Sequence, residues 1–266
     1  MNIVKQVKTL SRDTVYYGLG DAFAQFISFF TAPILTRIFT PADYGMMDFI
    51  ATTFSFFIML AGINIVTGIY RFYYEVEPGK EQEKLVSTGL IFTIIMGLVF
   101  LGIMFSLKPV IASYIEVQSG VIRDYSLFLT LVFLRTPFNL VQTYFLSLFR
   151  LKREPKKYVL ISIIQVIINF ALIILFVVIL ELSIMGAFLA GTVSIVVVTI
   201  VTYLYYFRRI IFVFSKKLFT KVLKYSLPQL PAVMINWGIL QLNRVFIYEY
   251  CSEAELGYFS IAIKIA

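Results

Sequence analysis

The sequence predicts an all-α polytopic membrane protein, on three observations. Hydrophobic residues fill 60% of the 266 positions, and mean hydropathy is +0.89. Charged residues make up only 14%, where a soluble domain carries about 25%. Apolar runs of about 20 residues recur along the whole chain, the length a helix needs to cross the hydrocarbon core. Barrel strands would show alternating segments of about 10 residues instead.

The elements follow in order. Residues 1–13, MNIVKQVKTLSRD, set Ile3, Val4, Val7 and Leu10 against Lys5, Lys8 and Arg12, the pattern of a helix lying on the membrane surface. The apolar run behind it is too long for the h-region of a cleaved signal. Eight spans are expected, at 14–38, 44–70, 86–107, 123–148, 158–180, 183–207, 225–249 and 254 to the end. Basic residues orient them. Seventeen of the 23 fall in the N-terminal segment and the loops after spans two, four and six, whereas Arg37, Lys108 and Arg123 fall on the other side. The positive-inside rule therefore places the N-terminus and the even-numbered loops in the cytoplasm. The largest outer loop is expected at 108–122.

Several function classes drop out. Histidine is absent and Cys251 is the single cysteine, so no disulfide framework, thiolate metal site or His-based acid–base chemistry is expected. No loop is long enough to hold a catalytic domain, and the chain reads as a non-enzyme. The net charge of +8 belongs to cytoplasmic loops rather than to a nucleic-acid surface. The lack of a GxxxxGK[ST] loop speaks against ATP as the energy source.

An internal repeat is visible. TPADYG (40–45) and SEAELG (252–257) stand 212 residues apart, and each opens an even-numbered span. Both have capping-box spacing, with Thr40 or Ser252 as N-cap and Asp43 or Glu255 three residues on. Pro41 suits a first helical position. Six spans fit within the offset, so span seven reads as span one again. Repeated bundles of this kind mark transporters. The expected organisation is a six-helix lobe at 14–207, a cytoplasmic linker at 208–224 and an incomplete second lobe at 225–266. The sequence reads as truncated within span eight.

The stretches GLGDAFAQFISFFTAPILTRIFTPADYG and LKYSLPQLPAVMINWGILQLNRVFI resemble the first and seventh helices of Wzx-like flippases. These transporters of O-antigen-type oligosaccharides belong to the multidrug/oligosaccharidyl-lipid/polysaccharide exporter superfamily. The resemblance implies two six-helix lobes around a V-shaped cavity in the inner membrane of a prokaryote. It implies a polyprenyl-pyrophosphate-linked glycan as cargo, flipped to the outer leaflet by alternating access and driven by an ion gradient. No cofactor is implied beyond a coupling H+ or Na+. Polysaccharide polymerase and chain-length proteins are the partners that surface polysaccharide export would bring, alongside membrane lipids.

Charges inside spans are costly and mark working parts. Arg135 lies mid-span, with Pro137 beside it to kink the helix. Asn139 and Gln142 continue a polar stripe at i+4 and i+7. A phosphate-bearing cargo calls for guanidinium groups, and Arg135 is assigned to a cavity. The structural alternative pairs it with Asp21 or Asp48. Arg244, with Asn236 and Gln241, gives span seven a similar face, and Lys264 lies within span eight. Asp21 and Asp48 serve either ion coupling or ion pairing. Pro33, Pro137, Pro228 and Pro231 mark hinges. Asn64, Gln165 and Asn169 line the cavity or bond between helices, and Gly186, Ala190 and Ser194 form a close-packing series. Two other readings remain: an organic-cation antiporter of the same superfamily, which would favour acids over arginines in its cavity, and a non-transporting scaffold of a polysaccharide assembly complex.

Overall fold

In hydrocarbon an unpaired backbone N–H or C=O costs several kcal/mol, so each apolar run satisfies its own backbone as a helix. A computed structural model describes residues 16–265, apart from 19, 21, 24, 28, 29, 32, 120–122 and 208–211; the side chains of 118, 119, 207, 264 and 265 also lie outside the description. The expected surface helix at 1–13 is outside it too.

Every regular element among the described residues is helical. Helical turns within 16–36 form α1. The rest are α2 (Pro41–Gly62), α3 (Ile65–Tyr73), α4 (Lys80–Ser119), α5 (Tyr125–Leu134), α6 (Thr136–Leu151), α7 (Pro155–Ile173), α8 (Ser183–Phe207), α9 (Lys216–Ser226), α10 (Leu230–Tyr250) and α11 (Glu253–Ile265). Five segments among the described residues are long and apolar enough to cross a membrane: 41–73, 80–117, 155–179, 183–206 and 216–250. The span expected at 123–148 is divided at Arg135, and α11 has 13 residues.

The helix starts follow capping chemistry. Thr40 caps α2: its Oγ1 accepts from the Asp43 N–H at 3.3 Å, and Asp43 Oδ2 accepts from the Thr40 N–H at 2.9 Å. Pro41 sits in the first turn. In the repeat, Ser252 Oγ accepts from the Glu255 N–H at 3.2 Å.

Three further boundaries differ from the sequence expectation, while the span expected at 158–180 is met by 155–179. The span drawn as 44–70 is broken where Ile63 and Asn64 both adopt left-handed φ, 44° and 52°. The loop expected at 108–122 is helix as far as Ser119, with Pro109 inside α4. Lys108 is accommodated there by donating to Thr130 at 3.2 Å and lying over the Phe105 ring. Span seven begins at Lys216, not 225. Ser215 caps α9, and a 3₁₀ turn at Leu227–Gln229 carries Pro228 before α10 continues with Pro231. Within 155–179, α7 ends in a π turn over Ile174–Ile179.

Two apolar cores stack along the bundle. One joins Met46, Ile50, Leu129, Val132, Phe133, Ala190, Tyr248 and Leu256. The other joins Ile69, Leu85, Leu90, Tyr144, Phe145, Phe149 and Val222.

At the start of α2 the two copies of the repeat meet. A Cβ on Gly45 would overlap the Glu253 carbonyl, and one on Gly257 would overlap the Pro41 carbonyl. Positions 41 and 45 correspond to 253 and 257 at the repeat offset, so the contact is reciprocal. Glycine is needed at both places because two helix backbones touch.

Candidate functional site

Pro137 shapes the site first. It lacks the N–H that would bond the Phe133 carbonyl, so the helix is interrupted at Arg135. The Arg135 N–H instead bonds the Val132 carbonyl at 3.3 Å, and α6 restarts as the Asn139 N–H bonds the Arg135 carbonyl at 2.8 Å. The break directs Arg135 into a cavity of about 250 Å³ between α1, α2, α7, α8 and α11. Tyr44, Asp48, Asn169 and Ser260 are its polar lining, with Leu35, Met47 and Phe188 among its apolar walls.

Arg135 has an unusual setting. Its Nε is buried without a hydrogen-bond partner, and among the described residues no carboxylate pairs with it. Its guanidinium lies 5.4 Å from the centre of the Phe54 ring, a contact worth about 0.5–2 kcal/mol. That is small beside the several kcal/mol it costs to hold a charge out of water. Gly191 makes room for it: a Cβ there would stand 2.9 Å from Arg135 Nη1.

Asp48 faces the same cavity but is engaged by Arg244. The Arg244 Nε donates to Asp48 Oδ2 at 3.0 Å, with the side chains only 15% and 18% exposed. Arg244 Nη1 also donates to the Leu240 carbonyl and to Gln241 Oε1, both at 2.9 Å.

This ion pair is one rung of a polar seam between α2–α3 and the antiparallel α10. Trp237 Nε1 donates to Ser55 Oγ at 2.9 Å, and Asn64 Nδ2 donates to Gln229 Oε1 at 3.3 Å. The three rungs advance together, from 48 through 55 to 64 on one strand of the seam and from 244 through 237 to 229 on the other. Beyond the last rung, α9 packs on α3, and Lys221 meets Glu75 at 3.3 Å while lying over the Phe72 ring.

The expected residues therefore divide. Arg135, Asp48 and Asn169 share the cavity, and Arg244 and Gln241 adjoin it through Asp48. Gln142 turns away to Gln165 at 3.5 Å, between α6 and α7. Neither it nor Asn139 lines the cavity; both lie within α6, and Arg135 at its N-cap alone reaches the space. Asn236 is exposed on α10, and Pro33 is exposed on α1. Asp21 and the Lys264 side chain lie outside the described residues. The alternative pairing of Asp48 with Arg135 is replaced by Asp48 with Arg244. Sequence reasoning missed Tyr44, Ser260 and Gly191. Tyr44 was within reach, since it stands one turn before Asp48 on the same face.

Comparison with known proteins agrees with this architecture. Over 268 residues the chain is 26% identical to an uncharacterized membrane protein of Haemophilus influenzae, a match that takes in 97% of this chain and 61% of the relative. The chain thus spans about three fifths of that relative's length. Among solved structures, it superposes on the MATE multidrug transporter DinF-BH with a TM-score of 0.75 at 14% identity, covering 97% of this chain and 60% of the other. A MATE protein in its straight conformation gives 0.70 at 16% identity, covering 97% and 60%. A MOP superfamily transporter from Pyrococcus furiosus, in which reversed polarity of the binding pocket suggests a different function, gives 0.67 at 15% identity, covering 97% and 62%. These likenesses establish a MATE-like fold, and the chain is a multi-pass membrane protein. The profile of one family matches residues 34–266, and the chain belongs to that family, the polysaccharide biosynthesis proteins.

Proposed function

We propose that the protein is a transporter that flips polyprenyl-pyrophosphate-linked oligosaccharide units across the inner membrane of a prokaryote by alternating access. Its N-terminus lies in the cytoplasm. One observation carries the reading: a buried guanidinium in a membrane cavity, with no carboxylate paired to it among the described residues. Arg135 suits an anion with several oxygens, and Tyr44, Asn169 and Ser260 add polar groups around it. At about 250 Å³ the cavity falls below the roughly 300–1,000 Å³ usual for drug-sized ligands. It suits a phosphate headgroup, while glycan and lipid tail lie outside. Family membership supports a glycan cargo.

The organic-cation antiporter has support from the likeness to the multidrug transporter. A cation would need a free acid, and Asp48 is held by Arg244. H+ or Na+ remains the coupling ion of this proposal, and polymerase and chain-length proteins remain its proposed partners.

The test replaces Arg135 by Ala and by Lys in a host whose surface polysaccharide depends on the protein. Expected is normal membrane abundance, at least a tenfold loss of export with Ala, about 1.4 kcal/mol or more, and accumulation of lipid-linked precursor. Unchanged export with Ala would overturn the reading.

A further inference from the structure

We propose that Asp48 is an internal stand-in for the cargo's anion, displaced from Arg244 when the anion enters, and that this exchange loosens the α2–α10 seam. The inference rests on the flippase reading above and goes beyond it by assigning Asp48 the role of a competitor rather than a cargo ligand.

The geometry leads there in three steps. Arg135 lines one small space, and Arg244 stands behind its wall, paired to the lining residue Asp48. Only Arg244 has a carboxylate among the described residues. With Asp48 ionised, Arg135, Arg244 and Asp48 together carry one net positive charge, whereas a pyrophosphate diester brings two negative charges. Both arginines can serve the anion only if Asp48 gives up Arg244.

Second, the partners differ in what they offer. Asp48 engages Arg244 through an Nε–Oδ2 contact at 3.0 Å. A phosphate presents several oxygens and can take a guanidinium by two parallel bonds. Exchange replaces one charge-assisted bond by another, so neither arginine is left buried and unpaired, the costly case.

Third, the pair belongs to a cooperative seam. Asp48–Arg244, Ser55–Trp237 and Asn64–Gln229 lie in register along two antiparallel segments. Asn64 sits at the left-handed break and Gln229 in the 3₁₀ turn, both interruptions of otherwise regular helices. Loss of the charged rung weakens the closed arrangement, and a ligand that breaks it shifts the population by its differential affinity.

The experiment uses the full native chain purified in detergent, with inorganic pyrophosphate as the probe. Two readouts are taken: probe affinity by calorimetry, and the disulfide-forming rate of an Asn64→Cys/Gln229→Cys pair with Cys251 replaced by Ser. Saturating pyrophosphate should slow cross-linking severalfold in the otherwise native protein. Asp48→Asn should slow it without probe and tighten pyrophosphate binding about tenfold, since no competitor remains for Arg244. Arg244→Gln should weaken binding.

An Asp48→Asn protein that stays folded and binds pyrophosphate no better than the native chain overturns the proposal. Should that variant not fold, the native-background arm decides, and cross-linking unaffected by pyrophosphate overturns it. Binding that depends on Arg135 while the seam does not respond removes this inference and leaves the flippase reading standing. Binding that is absent, or indifferent to Arg135→Ala, removes both.

Discussion

Replacing Gly45 by Ala should drive α2 and α11 apart. A Cβ at Gly45 would lie 2.7 Å from the Glu253 carbonyl carbon, closer still to its oxygen, and 3.1 Å from the Gly257 nitrogen. Comfortable carbon–carbon separation begins near 3.5 Å, so the helices must part by about 1 Å. All three offending atoms are backbone, and no rotamer relieves them. A gap of that size forfeits a quarter to a half of each dispersion contact across it. The contacts at risk include those of Leu256, fully buried on α11 next to the crossing. Overpacking of this kind costs about 1–3 kcal/mol, and the upper end applies where backbone meets backbone. For a domain of this size that lowers Tm by about 6–12 °C. Thermal unfolding of the native chain in detergent measures it. Gly257→Ala should match it, because its Cβ would stand 2.7 Å from the Pro41 carbonyl carbon. Once the helices have parted for one methyl the second enters at little cost, so the double variant should fall short of the sum of the singles. Tm values within about 1 °C of the native chain, or strict additivity, would refute the reasoning.

Other outcomes are expected. Gly191→Ala should push the Arg135 guanidinium aside, since the new Cβ stands 2.9 Å from Nη1; pyrophosphate binding should weaken severalfold at unchanged membrane abundance. Tyr144→Phe removes a buried bond from the tyrosine hydroxyl to the Val86 carbonyl at 2.6 Å. It should cost about 1 kcal/mol, seen as a Tm drop of roughly 2–4 °C. Glu255 beside the exposed Cys251 thiol raises its pKa by hydrogen bonding and charge. Thiolate is the reactive form, so Glu255→Gln should speed maleimide labelling at neutral pH, and an equal or slower rate would contradict it.

Much of the fold was legible because a bilayer imposes one rule. Apolar runs of span length, separated by basic clusters, had to be helices, and they appear in the expected order. Boundaries were harder where local signals conflicted. The third span was ended at 107, yet α4 continues through Pro109 as far as Ser119. The break at Ile63–Asn64 follows Gly62, a modest signal inside a strongly apolar run. In α9, Ser215 capping a basic amphipathic segment was a readable start, hidden by treating all of 208–224 as linker. The site was legible in kind but not in pairing. Arg135, Asp48 and Arg244 stood out as charges inside spans, but nothing local says which arginine takes Asp48, with Arg244 lying 196 positions away. The Asn139–Gln142 stripe lies in α6 as expected, but spacing alone did not say what it faces, and Gln142 meets Gln165 of α7 instead of the cavity.

The glycine crossing is symmetric under exchange of its two motifs. At the repeat offset, residue 45 meets 253 while 257 meets 41. This is the rule of an isologous interface, in which patch i contacts j and j contacts i across a two-fold axis. Ordinary intramolecular packing carries no such exchange symmetry. The crossing has the form of a contact between two copies of one motif, here made within a single chain. Each half thus retains a self-complementary surface, and a substitution in one copy has its mirror experiment already encoded 212 residues away.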